Sequence, residues 1–212
     1  MSEFTIDKYL CLMKERVSDF VDGEFKIISD KQTLMKYEKE NECHLGVVYE
    51  SQYHIMVKEL VFVNGGLCEY ERILKCNTGN AVVVIPVYND KFVLLNQFRH
   101  ATRGYQLCFP RGFGERNLSS YENSEKEIKE ELKCDVLSNK IIGTVVADSG
   151  ICGERVFVHL CEITQPRTMC NYEGIKNIHC VDKENLSLLI HSGKITDGYT
   201  LSAVCLYCAK DK

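Results

Sequence analysis

Apolar residues recur at helical spacing at the start of this chain. Ile6, Tyr9, Leu10, Met13, Val17, Phe20 and Val21 fall on one stripe, and Asp22-Gly23 supplies a stop. An amphipathic helix over residues 1–23 is expected, docking that stripe on the body of the protein or on a second subunit. Residues 30–43 are polar without a clear period and read as loop or short helix. From His44 the pattern turns strand-like. Residues 45–49, 55–63 and 67–73 are rich in β-formers, and Asn64-Gly65-Gly66 marks a hairpin turn. Asn77-Thr78-Gly79-Asn80 then breaks the chain, which separates a small β subdomain, residues 24–78, from a main domain, residues 79–212.

In the main domain, residues 81–88 and 92–98 pattern as a second hairpin across Asn89-Asp90-Lys91. A helix follows at 120–133, then strands near 141–147, 156–162 and 176–181, then helices at 183–192 and 196–209. Hairpins, helix, strands and helices in that order predict an α+β fold with a mixed sheet between helices.

Composition narrows the setting. At 212 residues the chain suits one domain with a small appended subdomain, and 45% hydrophobic with 26% charged residues supports a sizeable core. A net charge of -4 argues against nucleic acid as a partner. No apolar run approaches ~18 residues, and the polar face of the first helix mixes acids with bases, so no membrane role is expected. The N-terminus does not read as a signal peptide, which points to the cytoplasm. Twelve cysteines are scattered without a regular framework, and the C-x-x-C at Cys205 and Cys208 has no second pair to complete a zinc site. Buried, reduced thiols are expected.

The chemistry concentrates in Lys126-Glu127-Ile128-Lys129-Glu130-Glu131-Leu132. On an α-helix Glu127, Glu130 and Glu131 are spaced i, i+3 and i+4 and share one face. Like charges so close destabilise a helix unless something offsets them. A hard divalent cation such as Mg2+ or Mn2+ would do so, because it prefers oxygen ligands. A solvated acidic face is the simpler reading of the triplet alone.

Its surroundings favour the first reading. The segment resembles the box of the Nudix hydrolases, G-x5-E-x7-R-E-U-x-E-E-x-G-U, with U aliphatic. Gly112 takes the first glycine, Glu127 the first core glutamate fifteen residues later, Ile128 the aliphatic slot, and Glu130 and Glu131 the paired glutamates. Phe109-Pro110-Arg111 before the box, Gln97-Phe98-Arg99 upstream and the Ser192–Asp197 stretch, 192–197, look like the ADP-ribose pyrophosphatase branch. Three positions depart: Leu118 replaces the spaced glutamate, Lys126 the arginine and Lys133 the second glycine. The box loop is therefore expected to lack its usual brace, with Leu118 packing instead.

The resemblance implies an α/β/α sandwich over the main domain, a two-fold homodimer built through residues 24–78, and Mg2+ or Mn2+ as cofactor. Glu127, Glu130, Glu131 and the Arg111 carbonyl would ligate metal, with Gly112 letting the backbone turn closely. Glu154, in the loop Asp148-Ser149-Gly150-Ile151-Cys152-Gly153-Glu154, would accept a proton from the attacking water or hold an additional metal, or else be a loop acid paired with Arg155 or a lysine. Arg99 and Arg103 would bind substrate, since a guanidinium fork suits phosphate oxygens. Tyr105, Phe109 and Phe113 could each stack a base, with core packing the simpler expectation. The implied activity is hydrolysis of a nucleoside diphosphate linked to another moiety, ADP-ribose or another ADP-sugar first. A weakly active or inactive nucleotide sensor and a hydrolase of a different nucleotide are the alternatives.

Overall fold

The computed structural model describes residues 2–167 and 173–210. The chain divides into two compact units, residues 1–76 with 148–154, and residues 77–147 with 155–212.

In the first unit, helix α1 (Ser2–Glu15) runs into a 3-10 turn (Val17–Phe20), followed by β1 (Lys26–Ile27), α2 (Lys31–Asn41), β2 (Gly46–Glu50), β3 (His54–Val63) and β4 (Gly66–Lys75). Strand β3 pairs along its length with β4 and, on its other edge, with β1 and β2, all antiparallel. Ile6 and Tyr9 are fully buried and pack with Leu34, Leu45, Val47 and Leu60. The expected stripe ends early. The α-helix stops at Glu15, so Val17 and Val21 are exposed. Helix α2 forms where no apolar period announces it, because Asp30 caps it by accepting from the Thr33 amide at 2.8 Å.

One buried charge pair ties this unit together. Glu59 is 2% exposed, takes a forked contact from Arg72 at 2.5 and 2.8 Å and accepts from the Tyr9 hydroxyl at 2.9 Å. A carboxylate satisfied this fully can stay in a core, and it links α1 to the sheet. The loop 148–154 extends the unit along β4. Ile73 donates its amide to the Ile151 carbonyl at 2.8 Å, the Tyr70 hydroxyl donates to Gly150 at 2.8 Å, and Lys75 pairs with Glu154 at 2.5 Å.

The second unit is an α/β/α sandwich around a seven-stranded mixed sheet. Its elements are β5 (Val82–Tyr88), β6 (Lys91–Arg99), β7 (Gly104–Cys108), β8 (Arg111–Gly112), α3 (Ser120–Glu127), β9 (Val136–Val145), β10 (Val156–Ile163), β11 (Ile175–Val181), α4 (Lys183–His191) and α5 (Gly198–Lys210). The central order is β11-β6-β5-β10-β9, with β7 beside β6 and β8 beside β5. Strands β5 and β10 are parallel and the other pairs antiparallel. Asn89 and Asp90 both adopt positive φ (48° and 59°), the turn geometry that closes the β5–β6 hairpin.

Strand β5 is apolar on both faces, as a central strand requires. Val83 and Ile85 pack with Leu186, Ile195 and Ala203 from the C-terminal region, whereas Val82 and Val84 pack with Ile128 and Leu132 after α3. The cysteines divide. Cys108, Cys134 and Cys161 are buried as expected, but Cys11, Cys180, Cys205 and Cys208 are exposed, and Cys170 lies outside the described residues. Among the described residues no helix is long and apolar enough to cross a membrane.

Helix α3 begins with a capping box between Ser119 and Glu122 and ends through a π-helical turn, Ile128–Leu132. Lys133 closes it in the left-handed region at φ 50°, a conformation that favours glycine. Lys133→Gly should therefore stabilise the protein by ~1 kcal/mol, seen as a higher denaturation midpoint. Lys133→Ala, which removes the same side chain but keeps Cβ, should not.

Candidate functional site

The segment carrying Ile128 and Leu132, both fully buried, also draws Glu127 (8% exposed) and Glu131 (3%) out of water. The π turn decides which acids go inward. Its i→i+5 bonds spread one turn over more residues, so Glu131 stays beside Glu127 while Glu130 rotates away. The shared face of three acids expected from α-helical spacing becomes a buried pair with a half-exposed third.

Burial dominates the electrostatics of the pair. The Glu127 carboxyl is pushed up to about 7, by burial first; Lys126 opposes this, and the charges of Glu130, Glu173 and Glu115 add to it. Glu131 is pushed up to about 8 by burial, then by Glu127 and Glu173; Arg99 and the Arg111 backbone amide work the other way. Glu131 Oε2 is buried and has no hydrogen-bond partner. An acid oxygen left without a donor carries a large desolvation cost, which protonation or a cation would relieve.

Gly112 lies against this pair. A Cβ at that position would collide with the Glu127 carboxyl, so only glycine lets the β8 backbone approach it. The loop from 113 to 118 is fixed by asparagines. Asn123 donates to the carbonyls of Phe113 (3.0 Å) and Asn80 (2.9 Å), Asn80 donates to Leu118 at 3.3 Å, and Asn77 bonds Gly114.

This loop is not unbraced, contrary to expectation. Lys126 pairs with Glu115 at 3.1 Å and Glu130 at 2.9 Å, and approaches Glu127 at 3.8 Å. Burial works against its charge, but the hydrogen bonds to Glu130 and Glu115 prevail and hold the ammonium above its ordinary range. Glu115, three residues after Gly112, thus takes up a pairing that Leu118 cannot make, and Leu118 itself is half-buried.

The remaining expected residues are distributed unevenly. Arg99 is half-buried, donates to Cys108 Sγ at 3.4 Å and bears on Glu131 electrostatically. Arg103 turns elsewhere, to His100 at 2.9 Å and over the Phe98 ring. The Arg111 side chain pairs with Asp197 at 3.2 Å, and Asp197 accepts from the Thr200 hydroxyl at 2.8 Å. Glu154 belongs to the first unit, where its partner is Lys75 rather than Arg155. Phe109 is core, but Tyr105 and Phe113 are exposed, which corrects the expectation of packing for both. Glu173 and Glu115 escaped the sequence reading. Glu173 sits in the turn before β11, its carbonyl held by Gln97 at 3.0 Å, and only the tertiary pairing of β11 with β6 brings its charge to bear on both buried acids.

Over 74 residues the chain is 34% identical to ADP compounds hydrolase NudE of Escherichia coli (strain K12). Over that stretch the match supports a relationship to the Nudix hydrolases. That alignment covers 35% of this chain and 39% of the relative, so the chain spans about two fifths of the length of the curated protein it matches. The fold is also seen in the crystal structure of an ADP compounds hydrolase, at a TM-score of 0.67 and 18% identity, over 77% of this chain and 89% of that one. No family model matches the chain.

Glu127 and Glu131 are the residues that would hold a divalent cation. Both are buried acids that interact electrostatically, and Glu131 Oε2 has no hydrogen-bond partner. Among the described residues no group of three or more His, Cys, Asp or Glu side chains is arranged to hold a metal, and Glu130 is hydrogen-bonded to Lys126.

The raised carboxyls set a pH dependence. An acid whose pKa is higher in the folded state is protonated there more readily than in the unfolded chain, so folding is favoured at low pH and loses stability as pH rises. Between about pH 4.5 and 8 the metal-free protein should therefore lose Tm, and added Mn2+ should restore more of it at pH 8 than at pH 5.5. Glu127→Gln with Glu131→Gln should flatten the metal-free profile.

Proposed function

We propose that this chain hydrolyses the diphosphate bond of a nucleoside diphosphate linked to another moiety, with ADP-ribose or another ADP-sugar as favoured substrate and AMP and a sugar phosphate as products. The observation that carries the reading is the pair Glu127 and Glu131, buried with one oxygen unsatisfied beside a glycine that admits close backbone approach. The similarity to proteins named for hydrolysis of ADP compounds supports the substrate class.

Glu127 and Glu131 would hold Mg2+ or Mn2+, with the Arg111 carbonyl completing the shell and Glu130 contributing less directly. The bound cation would neutralise charge developing on phosphate oxygens, which is most of what catalysis of phosphoryl transfer requires. Gly112 fixes the distance between the Glu127 carboxyl and the β8 backbone. Arg99, facing Glu131 from the end of β6, would orient a phosphate by its guanidinium fork, and Arg103 would need to leave His100 to join it. For the proton acceptor, Glu154 is the candidate, and Glu154→Gln probes it. A homodimer through residues 24–78 is part of the proposal. Phe62 and Leu67 are directly paired across β3 and β4 and both exposed, as a covered apolar face would be. Light scattering at micromolar concentration should find a dimer; a monomer contradicts it.

The deciding experiment is a panel of nucleoside diphosphate derivatives with Mg2+ or Mn2+, scored for cleavage of the diphosphate bond into its two monophosphate products. ADP-ribose should be cleaved faster than nucleoside triphosphates at equal concentration. A triphosphate preference would overturn the substrate class, and binding without turnover would favour a nucleotide sensor. Glu131→Gln keeps the side chain's shape and should lower kcat roughly a hundredfold, the usual effect of ~3 kcal/mol of lost transition-state stabilisation. Near wild-type turnover in both Glu127→Gln and Glu131→Gln, or in chelator, contradicts the metal assignment.

A further inference from the structure

Three acids surround Lys126, and they and Glu131 are not equally provided for. The ammonium lies 2.9 Å from Glu130, 3.1 Å from Glu115 and 3.8 Å from Glu127. Glu131, 3% exposed, is left with Oε2 unpartnered. Glu127 stands between these cases: its contact with the ammonium is beyond hydrogen-bond length, and its carboxyl rests against Gly112 instead.

We propose that Lys126 is a built-in cation that withholds Glu130 and Glu115 from metal and limits the site to one divalent ion, held by Glu127 and Glu131. This rests on the reading of the site as a metal centre and adds its stoichiometry and the residue that sets it. An ammonium is a compact point charge with three donors and no acceptor. Two of those donors are spent on Glu130 and Glu115 at ordinary charge-assisted distances. A second divalent ion would have to draw Glu130 away and stand within a few ångströms of the fixed positive charge, and both steps oppose it. The orphaned Glu131 oxygen is the complementary observation, since no donor of the protein hydrogen-bonds it and a cation from solution would satisfy it.

The position of Lys126 explains why. It precedes Glu127 directly and is four residues before Glu130, so one helical turn places its ammonium over Glu130. Glu115 reaches it from the loop that Asn123 and Asn80 hold in place. The lysine is thus gripped from two elements and cannot retire when metal arrives without losing both pairs.

The test is a Mn2+ titration of the whole chain without substrate, reading free Mn2+ by electron paramagnetic resonance and heat by calorimetry. Wild type and Lys126→Arg should each bind one ion per chain. Lys126→Met should bind two, or bind the first at least tenfold more tightly, because Glu130 is released. Lys126→Gln is made alongside, since a polar replacement is more readily tolerated if the methionine variant does not fold. Two or more ions in wild type overturn the proposal without any variant. A folded charge-removing variant that matches wild type in stoichiometry and affinity also overturns it, while leaving the metal centre intact. No Mn2+ bound by wild type or variants removes the metal reading itself.

Discussion

Everything in the second unit turns on the cost of keeping two carboxyls out of water. Glu127 and Glu131 are buried because Ile128 and Leu132, on the same short segment, anchor it against β5 and β10. The apolar anchors cannot be satisfied without taking the acids inward. Desolvation then raises both carboxyls toward neutrality and leaves Glu131 Oε2 without a donor. Such an arrangement is unfavourable for the bare protein and favourable for one that binds a cation, the pattern expected of a functional site rather than of a stabilising one.

The neighbouring structure makes sense as support for that pair. Asparagine side chains, neutral and able to donate without adding charge, fasten the loop between β8 and α3 to the helix and to the start of β5. Gly112 supplies closeness, Arg99 supplies positive charge on one side, and Lys126 supplies it on the other. The π turn at Ile128–Leu132 sorts the acids into an inner pair and an outer partner for lysine. In the first unit the same logic appears in its structural form, for Glu59 is equally buried but fully satisfied by Arg72 and Tyr9.

Much of this was legible in the chain. The β-forming runs of β3 to β6, the hairpin turns, and the mixed sheet between helices follow from local pattern and turn chemistry. The acidic triplet with Gly112 announced a candidate site. What escaped has physical reasons. Helix α2 is held by its cap and not by an apolar stripe, so periodicity missed it. The π turn is a backbone irregularity that no residue spacing shows, and it changed three acids on one face into two plus one. Glu115 lies three residues away from the position where a brace was sought, and its pairing with Lys126 depends on the path of the loop. Glu173 is brought to bear on the acids by β11, far along the chain. Arg103 and Glu154 each have a protein partner, His100 and Lys75, which spacing cannot reveal.

The central claim is that Glu127 and Glu131 are raised acids whose ionisation is completed by a metal. Proton release on Mn2+ binding tests it directly, measured by calorimetry at pH 6.5 in two buffers of different ionisation enthalpy. The account predicts that binding one Mn2+ releases between one and two protons at pH 6.5, since carboxyls pushed up to about 7 and about 8 are still largely protonated there, and that the release falls toward zero by pH 9. Metal binding without proton release, or release that does not diminish as pH rises, would contradict it.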